Sequence, residues 1–163
     1  MVIFKPPHNI AHRNTIMKSV FLAGSIEMGK AEDWQTNLAN FFNDNNWNVF
    51  NPRRDDWDSS WTQDFENPQF YQQVNWELNA LEQSDLIIMY FAPGTQSPIS
   101  LLEMGLYAGS GKLHVVCPDG FWRKGNVEIV CNYYNIPFTN TIDELLINLK
   151  IIAIARRNCY CSP

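Results

Sequence analysis

The chain has 163 residues, 45% of them hydrophobic, which suits one domain with a real apolar core. Its formal net charge of −5 excludes the basic face that a nucleic-acid polymer would need as its partner. No apolar run approaches the length of a membrane span, so no membrane partner is expected either.

The four Cys and three His form no metal-ligand spacing. Cys117 ends an apolar strand and Cys131 sits in an apolar helix, while Cys159 and Cys161 lie in a polar tail with one residue between them. A reduced, cytoplasmic protein with neither metal nor cofactor is expected. An aromatic share of 13%, with six Trp and ten Phe, exceeds what a small core needs, so some rings are expected at a pocket or an interface.

Residues 1–17 hold Pro6, Pro7 and polar groups without an apolar h-region, and read as a flexible N-terminal extension rather than a secretory signal. The domain is expected over 18–150, with 151–163 as a C-terminal tail. Within it, Ser19 to Ala23 is a short buried strand ending in Gly24-Ser25, where a ligand can approach the backbone closely. Residues 31–44 carry Trp34, Leu38, Phe41 and Phe42 at helical spacing. A second strand at 47–50 stops at Asn51-Pro52. Residues 51–67 form a loop long enough to suggest a job, with Arg53, Arg54, Asp55 and Asp56 interleaved with Trp57, Trp61 and Phe65.

A helix over 68–84 leads into Asp85 to Phe91, the clearest buried strand. The helix opened by Ser97 follows, then a strand at 113–117, a helix at 126–134, a short strand at 136–138 and a helix at 141–149. Such alternation implies a parallel sheet covered on both faces, with ligands outside the carboxyl ends of its strands. The loops there are 24–30, 51–67, 92–98 and 118–125.

Two carboxylates stand out. In the Ser97 helix, Ile99, Leu102, Leu106 and Tyr107 form an apolar stripe, and Glu103 falls on it. An inward charge costs free energy unless it is paired, so one reading is a working carboxylate. The other is a helix rotated by one position, which leaves Glu103 in water. Glu77 lies on the helix before the best strand and reads either as a solvated helix charge or as a second working acid. Beside it, Asn75 and Trp76 offer an amide and a flat ring to a heterocycle. Two carboxylates with separate roles suit glycosidic-bond chemistry. No dinucleotide fingerprint, phosphate loop or Ser/His/Asp set is present in register.

In order along the chain stand Phe21-Leu-Ala-Gly-Ser-Ile26, Asn51-Pro-Arg-Arg54, Gln73-Val-Asn-Trp-Glu77, Ser84-Asp-Leu-Ile87 and Pro98-Ile-Ser-Leu-Leu-Glu-Met-Gly105. This set resembles the nucleoside 2-deoxyribosyltransferase-like family and its relatives, the 2'-deoxynucleoside 5'-phosphate N-hydrolases, from about Lys18 to Leu149. The resemblance implies a flavodoxin-like three-layer sandwich with a five-stranded parallel sheet in the order 2-1-3-4-5. It also implies attack by a Glu carboxylate on the anomeric carbon of a (deoxy)ribosyl N-glycoside.

Glu103 matches that nucleophile, and Glu77 corresponds to the family's second carboxylate, which is Asp in many members. Ser97 stands where the transferases have an Asp. Asn126 resembles an Asn donated from a neighbouring subunit, which implies a homodimer or a higher homo-oligomer. Where the hydrolases hold a 5'-phosphate with an Arg, this chain has Glu27, and Arg53 or Arg54 is the available replacement.

The expected reaction is a retaining double displacement on a small nucleoside or nucleotide. Glu103 attacks C1', Glu77 assists departure of the base, and another base or water takes the sugar. Ser100, Tyr90 or Tyr107 is expected to donate a hydrogen bond to Glu103, and Trp57, Trp61 and Phe65 to close over the base. Gly24, Ser25, Arg53, Trp76 and Ser97 complete the expected binding set. The rival readings are a TIR-like NAD glycohydrolase, a non-catalytic nucleotide-binding sensor, and an interaction protein that uses the aromatic loop as its contact surface.

Overall fold

Six strands pair in parallel in the order β1-β3-β2-β4-β5-β6. They are β1 (Ile3–Phe4), β2 (Ser19–Gly24), β3 (Asn48–Phe50), β4 (Leu86–Tyr90), β5 (Leu113–Val116) and β6 (Phe138–Thr139). The computed structural model describes residues 3–26 and 33–159. Helices α1 (Trp34–Asp44), α2 (Pro68–Gln83), α3 (Pro98–Tyr107), α4 (Lys124–Tyr134) and α5 (Ile142–Cys159) connect and cover the sheet, giving three α/β layers.

The sheet thus differs from the expected five strands ordered 2-1-3-4-5. The additional strand is β1, an edge of two residues whose Ile3 and Phe4 stand opposite Val49 and Phe50. Asn51 N donates to Phe4 O at 2.9 Å. A two-residue strand followed by Lys5-Pro6-Pro7 carries no period for sequence reading to detect. Phe4 and Ile10 are nevertheless buried, and the Trp76 indole donates to His8 O at 2.8 Å, which ties this segment to α2.

Burial separates the two covers of the sheet. Phe21, Ala23, Ile87 and Met89 face Trp76, Ala80 and Leu81 of α2, Met104 of α3, and Val127 and Cys131 of α4. Val20, Leu22, Ile88 and Val116 point the other way, onto Trp34, Leu38 and Phe42 of α1 and Leu145 of α5. This is the period-2 alternation of a strand buried on both faces. Side-chain caps fix two helix starts. Asp33 Oδ1 accepts from Thr36 N at 3.2 Å for α1, and Asn67 Oδ1 accepts from Gln69 N and Phe70 N at 3.1 Å, with Pro68 next, for α2.

After β2 the chain moves to β3, and after β4 it moves the other way to β5. The loops leaving β2 and β4 therefore part at the carboxyl edge, which is where this architecture opens a crevice.

Candidate active site

At that switch point Gly24 has φ +135°, and a Cβ there would come 2.2 Å from Tyr90 O. The close approach that requires glycine is to the backbone of β4. Ser25 then forms a clasp between the two diverging loops. Its Oγ accepts from Ala92 N at 2.9 Å and shares hydrogen bonds with Thr95 Oγ1 at 2.8 Å and Ser97 Oγ at 2.6 Å. Thr95 Oγ1 also donates to Ala92 O, and the Trp34 indole donates to Ser25 O. Ser97 sits in the left-handed region, at φ +46°, immediately before Pro98. That conformation costs on the order of 1 kcal/mol in a non-glycine residue. The clasp holds the Ser97 hydroxyl there and so sets where α3 begins.

Helix α3 is turned by one position from the stripe read in the sequence. Ile99, Leu102 and Leu106 are each 60% exposed, whereas Ser100, Glu103 and Met104 are buried, Glu103 being only 8% exposed. Neither sequence reading survives whole: the helix is rotated, and the rotation carries Glu103 inward. The apolar count misled because the strongest apolar residues of α3 face away from this chain's core.

Glu103 lies within electrostatic reach of Glu77 of α2. Burial, and secondly the charge of Glu77, raise the Glu103 carboxyl to about 8. Burial raises the half-buried Glu77 to about 7, against one hydrogen bond from Gln73 that lowers it. Among the described residues no donor reaches the Glu103 carboxyl. The expected donor Tyr107 gives its hydroxyl to Glu82 Oε2 at 3.3 Å instead, and Ser100 is buried beside Glu103 on the same face of α3. Burial thus favours the protonated form of both acids near neutral pH, and of Glu103 more than Glu77.

Gln73 was missed in the sequence, although its position four residues before Glu77 puts both on one helix face. Its Nε2 donates to Glu77 Oε1 at 2.9 Å and to Pro52 O at 3.0 Å. The Asn51-Pro52-Arg53 turn thereby links α2 to α1. Asn51 Oδ1 accepts from Arg53 N, and the Arg53 guanidinium donates to Gln35 Oε1 at 3.3 Å and lies 3.7 Å from Asp33.

Beyond this turn, Arg54 pairs with Asp56 and lies 4.9 Å over the Trp61 ring, which packs edge-on against Trp57 at 5.3 Å. The Trp57 Nε1 is enclosed without a partner. Phe65 is exposed and rests on Tyr71. Trp76 is buried against Phe21, and Asn75 Nδ2 donates to Tyr71 O, so both are engaged within the protein. Asn126 is exposed on the first turn of α4. Glu27 lies outside the described residues.

Residues 17–121, more than half of the chain, match the model of the family described as nucleoside 2-deoxyribosyltransferase like. The chain belongs to this nucleoside 2-deoxyribosyltransferase-like family. Among solved structures it is similar to the CMP N-glycosidase BcmB of Clostridium botulinum, at 21% identity and a TM-score of 0.54, over 82% of this chain and 99% of that one. It is also similar to a conserved protein of Enterococcus faecalis, at 12% identity and a TM-score of 0.54, over 81% of this chain and 96% of that one. At these identities the likenesses are of fold. No curated protein matches the chain in sequence. For this family member, no helix among the described residues is long and apolar enough to cross a membrane.

Proposed function

We propose that this chain cleaves the N-glycosidic bond of a (deoxy)nucleoside or nucleotide through a covalent ribosyl ester on Glu103, passing the sugar to another base or to water. The observation that carries the reading is two enclosed carboxyls, Glu77 and Glu103, close enough for the charge of Glu77 to act on Glu103, and both raised above the ordinary carboxyl range. Membership of the nucleoside 2-deoxyribosyltransferase-like family supports it, as does a fold shared with a CMP N-glycosidase.

In the first step a Glu103 oxygen bonds to C1' while the C1'–N bond breaks, and its electron pair leaves with the base. Glu103 is the weaker acid of the two, so it attacks in the form that has lost its proton while Glu77 keeps one, and Glu77 gives that proton to the base nitrogen as the nitrogen gains basicity. In the second step the acceptor attacks C1', the ester bond breaks, and the acceptor's proton returns to the pair. Among the described residues no donor reaches the Glu103 carboxyl, so once ionised it is a more reactive nucleophile than a solvated one. The rings of Trp57 and Trp61 stand on the loop beside Glu77's anchor and would flank the base.

The exposed row Ile99, Leu102 and Leu106, with Ile129 and Tyr133 of α4, supports a homo-oligomer that covers this face. Asn126 begins that same helix, where a partner subunit would reach it.

The test is mass spectrometry of products from pooled nucleosides and 5'-monophosphates, with and without a free acceptor base. Base release, or a new nucleoside when the acceptor is present, is the expected result. It should peak between pH values of about 7 and about 8, where the pair carries one proton. Absence of any product across the pool, including nicotinamide from NAD, contradicts the proposal.

A further inference from the structure

Gln73 is buried and yet only half satisfied. Its Nε2 donates both hydrogens, to Pro52 O and to Glu77 Oε1, while its own Oε1 is enclosed without a partner. The orientation of this amide is not ambiguous, because the Pro52 carbonyl is only an acceptor and must face the N–H side. An enclosed, unpaired acceptor is a cost that a Met or Leu of similar size would avoid. What the amide supplies in return is one specific contact, a hydrogen bond to the acid of the pair.

We propose that Gln73 is a positioning residue for the reaction: by making Glu77 Oε1 an acceptor, it places the carboxylic proton on Oε2. No described residue bonds to that second oxygen, so the proton stands on the oxygen left for the substrate. The same N–H opposes the effect of burial and keeps Glu77 a strong enough acid to release its proton near neutral pH. Pro52 makes the arrangement rigid. Its carbonyl belongs to the turn that Asn51 closes and that Arg53 ties to Gln35 and Asp33, so the amide is anchored to the sheet edge and not to a mobile side chain. The charged neighbour from another element is Glu103 on α3. Arg53 and Arg54, on the loop that carries Pro52, are engaged with Asp33 and Asp56.

The inference rests on the proposed reaction, but its test separates the two. In Gln73→Met the limb of the pH profile that Glu77 sets should move up by about one pH unit, the loss expected for one hydrogen bond to a charged carboxylate. kcat should fall about tenfold, with KM within about threefold. A purely structural role would lower stability and leave the pH limb in place. Gln73→Glu, of the same shape, serves if the Met variant does not accumulate, and should move the limb in the same direction. Carbon-detected NMR titration of the Glu side-chain carboxyls needs no turnover. The resonance absent from Glu77→Gln should titrate higher in Gln73→Met than in the parent protein. An unchanged Glu77 titration in the folded variant overturns the role of Gln73, whatever the enzyme acts on. Absence of base release by the parent protein overturns the reaction and leaves the NMR result to decide the Glu77 contact.

Discussion

Helices α2 and α3 each carry one carboxyl of the candidate site, and they hold it by different means. On α2, the acid itself is tied: Gln73 bonds it, and Pro52 bonds Gln73. On α3, no described residue bonds the acid and the helix is tied instead, through the Ser25, Thr95 and Ser97 hydroxyls at its first turn. Fixing a group by its own hydrogen bonds keeps it acidic, whereas fixing only its scaffold leaves its lone pairs for reaction. The difference suits a proton donor on α2 and a nucleophile on α3.

The largest expected effect comes from removing the bare acid. Glu103→Gln should reduce base release on the order of 10⁴-fold, the scale of losing a covalent nucleophile, in a steady-state product assay. It should also change how stability depends on pH. Between the ordinary carboxyl value of 4.5 and the folded value of about 8, the native chain binds more protons than the unfolded one. Parent stability therefore falls as pH rises through that window. Glu103→Gln should flatten the fall and raise Tm at pH 8, as measured by calorimetry across pH.

Glu77→Gln should cost less, on the order of 10²–10³-fold, because it removes proton delivery and leaves the attack itself intact. Its deficit should shrink for substrates whose leaving group needs no proton. An equal deficit for all leaving groups would erase the distinction between the two acids.

Ser25→Ala tests the scaffold. It removes three hydrogen-bond contacts of a buried hydroxyl and should cost about 2 kcal/mol in denaturant unfolding, with a fall in kcat as α3 loses its anchor. Smallest for the isolated chain is Leu102→Lys, within about 0.5 kcal/mol, since this side chain faces out. The proposed homo-oligomer predicts that sedimentation of this variant shows a smaller assembly than that of the parent.

Strand–helix alternation made five of the strands legible, because a buried strand such as Leu86–Tyr90 is a run of apolar residues between clear breaks. β1 escaped because two residues hold no period, and its evidence is a register with Val49 and Phe50 that only tertiary structure displays. That Glu103 could face inward was legible from its neighbours, but its direction was read from the wrong stripe. Ile99, Leu102 and Leu106 form a better apolar row than Ser100, Glu103 and Met104, and a sequence cannot say which row faces its own core. Gly24-Ser25 was recognised as unusual, yet its partners Tyr90 and Thr95 lie far along the chain. Gln73 needed knowledge of where Pro52 falls.

The most direct measurement is mass analysis of the protein after rapid acid quench during turnover of a cleaved nucleoside, followed by peptide mapping. The account predicts one pentosyl or deoxypentosyl adduct, carried by Glu103 and absent from Glu103→Gln. Base release with no adduct from a fully active protein, or an adduct on any other residue, would contradict it.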